Sequence, residues 1–542
     1  MRNQETAKVV AYNPIIPGFY PDPSICAAGE DFYLIHSSFA YFPGLPVMHS
    51  RDLAHWEQVG NVMDRHTQLP LDGCGHSQGL FAPTIRFYKG VYYVICTNVS
   101  YGGNFIVTAQ NPTGPWSEPH YIQGAQGIDP SLFFDEDGTC YYIGTRQNSK
   151  GCRYDGDWYI WIQELDIEHM RLVGEPRDVW NGAMRDIIWP EGPHLYKKDG
   201  YYYILHAEGG TGPYHAVTVC RSREVFGPYE NNFRNPILTH RHLGKTYPIQ
   251  YVGHGDFVET SAGEWYMVML AVRPLDGYTT MGRETFLAKV DWEDGWPVVN
   301  PGSGVLTDEV RVWLKEWNPL TDPKSYTNRR EAEGLPRNAF PGSSRVYDFK
   351  KQTGLGDEFL FLRSCPQGMY RLEPGQGLCL KGQKVTLKEQ GSPSYIGIRQ
   401  QHHRFRIQAA LGTESLGGDI RSGIALVQSN EYHLRVEADR SGAVVYLCEK
   451  GQDYCISRTD CSGYLNGSEF VLSILVEGLK ASVYVGMGEE QSLLAEGIDI
   501  HSLSTEVAGG FVGCTAGMYA VSDEDGPGVG EAVFLWFSYE AV

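Results

Sequence analysis

The sequence predicts an all-β protein, a five-bladed β-propeller followed by a C-terminal antiparallel β-sandwich of jelly-roll type. Three observations predict it. Aromatic residues make up 13% of the 542, with 34 Tyr, and aromatic side chains favour strands. Five segments in the first three hundred residues repeat one plan. Beyond residue 345 the chain alternates polar and apolar residues, as half-buried strands do.

The repeats come first, because a missed repeat misreads the whole architecture. They are "DPSICAAGEDFYLIHSS" from Asp22, "APTIRFYKGVYYVICTN" from Ala82, "DPSLFFDEDGTCYYIGT" from Asp129, "EGPHLYKKDGYYYILHA" from Glu191 and "GHGDFVETSAGEWYMVMLA" from Gly253. Each joins a short aliphatic run to an aromatic-rich run through a turn with Gly or Asp, the pattern of a β-hairpin. A spacing of about 45 to 65 residues suits a four-stranded propeller blade better than a helical repeat, with a regularly spaced sandwich as the competing architecture. The pieces "NPTGPW" and "REVFGPY" mark matching outer positions of two blades.

In the first repeat, "NPIIPGFYPDPSI" holds Asp22 between two prolines. Proline fixes φ and pushes its predecessor toward extended backbone, so Asp22 is held rigidly at the start of a strand. If the aliphatic strand is the innermost of each blade, Asp22, Asp129 and Glu191 occupy one slot in repeats one, three and four. They then converge on one funnel. Repeats two and five place Ala82 and His254 there, so the acids are not a mere consensus of the repeat. Crowded carboxyls in a partly dry pocket cannot all ionise cheaply, and one protonated beside one ionised carboxyl is the equipment of glycoside hydrolysis. A hard cation held by three carboxylates is the rival chemistry.

Composition narrows the partners. A net charge of -20 opposes binding to nucleic acid or an anionic membrane, both of which are recognised through clustered Lys and Arg. Residues 1–12 lack the apolar core of a signal peptide, and no run of about 18 apolar residues occurs, so a cytoplasmic location is expected. Twelve Cys occur without a C-x-x-C pair, which gives zinc or dithiol chemistry little support.

The motifs "NPIIPGFYPDPSI", "SSFAYFPGLPVMHSRDL", "GIDPSLFFDEDG", "WPEGPHLYKKDGYYY", "AEGGTGPYHAVTVCRS" and "MGRETFLAKVDWEDGWP" occur in that order, and across them the chain resembles glycoside hydrolase family 43 of the β-xylosidase and α-L-arabinofuranosidase type. The resemblance implies that Asp22 is the general base, Glu191 the general acid, and Asp129 the residue that tunes and orients the acid. It also implies inversion at the anomeric carbon, with base and acid about 6.5 to 9.5 Å apart.

By the same resemblance Arg283 contacts sugar hydroxyls and a nearby carboxylate, Phe39 and Phe81 pack on the sugar, and Thr211 touches substrate. His254 lies deep in the channel and holds water or, in some members, calcium. Phe81 and Ile128 stand where Trp and Phe often occur, which leaves pentose preference open. No cofactor is required by such chemistry. The partners implied are a small oligosaccharide and copies of the chain in a dimer or tetramer. A non-catalytic sugar-binding propeller and a retaining glycosidase are the alternatives.

The expected boundaries are a catalytic propeller over 1–310, a Pro-rich and charged linker packing on it over 311–344, and the sandwich over 345–542. Resemblance suggests that the sandwich lends a loop, tipped by Phe511, to the rim of the site. That closure favours terminal sugars over internal cleavage.

Overall fold

The computed structural model describes residues 7–314, 344–417, 420–460, 467–524 and 529–542. Most of the expected linker, residues 315–343, lies outside the described residues. The chain is all-β, and among the described residues the one α-helix is a single turn at Thr505–Ala508. Among the described residues no helix is long and apolar enough to cross a membrane.

The first half forms five four-stranded antiparallel sheets in chain order. Their first strands are Ser24–Ala28, Thr84–Tyr88, Ile128–Phe134, Glu191–Lys198 and Gln250–Glu259. Each pairs with the aromatic-rich strand that follows it, such as Tyr201–Glu208 in the fourth sheet. Each first strand packs against the first strand of the next sheet, and the fifth returns to the first. Gly114-Pro115 and Gly227-Pro228 lead into His120–Tyr121 and Glu230–Asn231, the outermost strands of sheets two and four. Ala7–Tyr12 pairs antiparallel with Glu309–Leu314, so the two ends of this half meet.

The second half is an eight-stranded and a six-stranded sheet. Alternation along their strands decides which faces meet. In Arg404–Gly412, for example, Phe405, Ile407, Ala409 and Leu411 are buried together. The halves are joined by backbone as well as by side chains. Phe361–Leu362 pairs antiparallel with Tyr41–Phe42 of the first half. Phe42, Leu45 and Leu80 share one buried apolar cluster with Phe359, Phe361 and Ile396.

Candidate active site

The backbone is irregular at the head of each strand that carries or follows one of the three carboxyls. Asp22 and Asp129 hold φ of 52° and 51°, and His254 holds 50°. Few non-glycine residues adopt this left-handed region, and Asp is among those that tolerate it best. Ladder irregularities fall between Ile128 and Ser131, Glu191 and His194, and Gln250 and Gly255. A bulge breaks strict alternation and re-aims a side chain. Here the irregular stretches carry Ile128 and Asp129, Glu191, and His254, all of which line one pocket.

The backbone around Glu191 is clamped by the third sheet. Thr145 Oγ1 donates to the Pro190 carbonyl at 2.6 Å, and Ser131 Oγ donates to the Pro193 carbonyl at 2.6 Å. Between them the Gly192 amide donates to Asp129 Oδ2 at 3.1 Å. Asp129 is thereby tied to the peptide that follows Glu191. Gly192 has φ 56°, and a Cβ there would sit 2.7 Å from the His254 ring. Only glycine fits between them.

Asp22 is 5% exposed and accepts from Ser37 Oγ at 2.5 Å and from Arg283 Nη1 at 2.8 Å. Asp129, 8% exposed, is pushed up to about 6, chiefly by burial and further by the charge of Asp22, while His254 pulls it down. Glu191 keeps 18% of its side chain exposed. Loss of water and the negative charges of Asp129 and Asp22 raise its pKa well above the ordinary carboxyl value. The site thus holds one guanidinium-paired carboxylate and one carboxyl biased toward its protonated form.

One pocket is lined by every residue singled out in the sequence: Asp22, Phe39, Phe81, Ile128, Asp129, Glu191, Thr211, His254, Arg283 and Phe511. Phe39, Phe81 and Phe511 form a mutual aromatic wall with ring centroids 5.3 to 5.9 Å apart. Phe511 is contributed by the second half, and its backbone is tied at both ends: its amide donates to Ser77 Oγ at 2.8 Å, and its carbonyl accepts from Arg283 Nη2 at 3.2 Å. Arg283 also donates to Thr211 Oγ1 at 3.3 Å. With 8% exposure it is a buried cross-brace rather than a surface ion pair.

Sequence reasoning missed Ser37, which bonds Asp22, and His215 and Leu270, which also line the pocket. Ala82, in the slot of the second repeat, lines it as well. No local signal separates His215 from a satisfied core histidine.

A buried ionic cluster links residues of several of the first strands. Arg86 bonds both oxygens of Asp256, at 2.9 and 3.1 Å. Ser24 Oγ and the Ile25 amide donate to the same carboxylate at 2.8 and 3.0 Å, and the Tyr196 hydroxyl also donates to it. Burial works against this charge, but Arg86 and then His194 hold Asp256 down to about 2. Four of the five inner strands are thereby pinned together.

Among the described residues the one grouping of His, Cys, Asp or Glu with metal-ligand proximity is His433, Cys448 and Asp453. Asp453 there is already bonded by the Arg435 guanidinium at 2.7 and 3.1 Å, which leaves a cation no favourable place. Calcium takes six to eight oxygen ligands. The side chains about His254, with Asp22 already paired to Arg283, do not supply that set, so a calcium there would be held almost wholly by water.

Residues 11–297 match the family described as Glycosyl hydrolases family 43, and residues 346–540 match the Beta xylosidase C-terminal Concanavalin A-like domain. The chain is 50% identical to a xylosidase/arabinosidase of Butyrivibrio fibrisolvens, over 95% of this chain and 96% of that one. It is 35% identical to a non-reducing end alpha-L-arabinofuranosidase of Bacteroides ovatus, over 100% and 97%. Among solved structures it is similar to a xylan beta-1,4-xylosidase of Bacillus halodurans, with TM-score 0.86, 31% identity, and 98% and 100% of the two chains covered.

Proposed function

The chain belongs to glycosyl hydrolases family 43, and on that premise we propose that it is an exo-acting, inverting glycosidase that releases terminal β-D-xylosyl and/or α-L-arabinofuranosyl residues from short hemicellulose-derived oligosaccharides. The two sugars are those for which its relatives are named. The observation that carries the mechanism is the pairing of unlike carboxyls in one pocket: Asp22 bonded to Arg283, and Glu191 with its pKa raised. In this reading Asp22 takes a proton from the water that attacks the anomeric carbon. Glu191 gives its proton to the glycosidic oxygen as the C–O bond breaks. Attack on the face opposite the leaving group inverts the centre.

The fold supports the same reading. Five four-stranded sheets whose first strands pack in a closed circuit are the blades of a five-bladed β-propeller, with the site at the mouth of its axis. The cavity measures about 90 Å³. That is several times the about 10–15 Å³ needed to admit a single water, which suits a compact ligand such as one sugar unit. The Phe511 loop closes one side, which favours the terminal residue of a chain. Assembly into a dimer or tetramer is part of the proposal, and light scattering after size-exclusion chromatography measures it.

Glu191→Gln tests the central claim. Hydrolysis of alkyl glycosides and natural oligosaccharides should fall by about 10²–10⁴, the usual worth of a general acid, while aryl glycosides whose leaving group needs no proton should be far less affected. A variant that keeps wild-type rates on both would refute the assignment. Proton NMR of the first-formed product should show the inverted anomer, and retained configuration would replace this mechanism with a covalent one.

A further inference from the structure

His215 lines the pocket yet has no part in the mechanism above. Its backbone is fixed on both sides: the amide donates to the Gly212 carbonyl at 3.1 Å, and its own carbonyl accepts from Thr239 Oγ1 at 2.8 Å. Nδ1 lies 3.0 Å from the Tyr251 carbonyl. A carbonyl can only accept, so Nδ1 carries the ring proton. Burial lowers the imidazole to about 3, with the Tyr251 bond opposing and the nearby cations assisting, so the ring is neutral at working pH. Nε2 is therefore a bare lone pair. It is fully buried without a hydrogen-bond partner in the protein and stands 4.0 Å from Glu191 Oε1.

We propose that His215 is a positioning residue for the acid, its unprotonated Nε2 accepting a hydrogen bond from the Glu191 carboxyl and so favouring the protonated form between turnovers. The proposal rests on Glu191 being the general acid. A small rotation of the Glu191 side chain closes the remaining gap. The contact selects one protonation state: a carboxylic acid donates to the lone pair, whereas a carboxylate would set lone pair against lone pair. After the proton has gone to the leaving oxygen, this repulsion raises the affinity of Glu191 for a replacement from solvent.

The other groups facing this contact are already accounted for. Asp129 and Asp22 press a proton onto Glu191 and Arg283 opposes them. His254, Arg283 and Asp22 act on the His215 ring. His215 differs from all of these in acting without a charge. Its seat is built for it. A Cβ on Gly253 would lie 2.2 to 2.4 Å from three atoms of the ring, so residue 253 has to be glycine for the imidazole to stand where it does.

His215→Asn tests the idea, since the shorter amide can still donate to the Tyr251 carbonyl but presents nothing to Glu191. The basic limb of the kcat/KM profile on an alkyl glycoside should move to lower pH by about one unit, the shift worth of one hydrogen bond. Hydrolysis of an aryl glycoside with a good leaving group should change little. A basic limb that stays in its wild-type position, whatever the loss of rate, overturns the proposal.

Should the variant not fold, nitrogen NMR of wild-type enzyme labelled at histidine decides instead. The ring whose shifts respond to Glu191→Gln should keep Nε2 unprotonated from about pH 5 to 9, and a proton on Nε2 overturns the proposal. Failure of the acid assignment itself would be seen separately, as a Glu191→Gln enzyme that still cleaves alkyl glycosides at the wild-type rate.

Discussion

Asp129 places a carboxyl where burial resists its charge, and this has a cost that calorimetry can read. Its folded pKa, about 6, lies above that of an unfolded Asp, so the protonated form is favoured by folding. That contribution is present in full below the unfolded pKa and is lost as pH rises through about 6. Asp129→Asn keeps an acceptor for the Gly192 amide and never has to ionise. It should unfold at a higher temperature than the wild type at pH 8, lose most of that advantage at pH 4, and be catalytically crippled at both. A variant less stable than wild type at pH 8 would mean that the hydrogen bond to Gly192 outweighs the buried charge. The three acids were legible because each stands at the head of a repeat beside a proline or glycine. The left-handed backbone at Asp22, Phe39 and His254 was not, because φ at these residues is imposed by the sheets that flank them. Ser37 and His215 were equally silent. A serine in a strand-end loop and a histidine before a strand look the same whether or not a carboxyl faces them.

The inner strands depend on a different pair of charges. Asp256 is fully buried, and Arg86 is the cation that neutralises it. Removing one partner of such a pair strands the other, at a cost of about 3–5 kcal/mol. Arg86→Met should therefore lower the urea midpoint sharply, and adding Asp256→Asn should recover much of the loss. Absence of recovery in the double variant would show that the guanidinium acts through packing rather than charge. With Asp256 held down to about 2, its share of stability is present above the unfolded carboxyl pKa and disappears as pH falls toward 2. The hairpins themselves could be read from alternation and turn residues, and the GPW and GPY turns do precede matching outer strands in sheets two and four. The cluster could not be read. Ser24, Arg86, Tyr196 and Asp256 are spread over 232 residues and meet only through closure of the circuit.

For the whole molecule, the second half is structural support rather than an appendage. It supplies Phe511 to the pocket and a two-residue strand to Tyr41–Phe42, and the apolar cluster runs through both halves. A chain ended after Leu314 would lose the rings of Phe511 and Phe361 that pack on Phe39 and Phe42, and exposed apolar patches of that kind drive aggregation. Such a truncation should yield little soluble protein and no glycoside hydrolysis, measured by the soluble fraction on expression and by product release. A soluble, active fragment would contradict this. The strand at Phe361–Leu362 grips the same short run that carries Ser37 and Phe39. Ancestry should therefore have treated the halves as one heritable unit. Recombination that exchanged only one of them would hand its descendants a mismatched seam two to three residues from Phe39, which lines the pocket, so compensating changes are expected on both sides of that seam in any viable lineage.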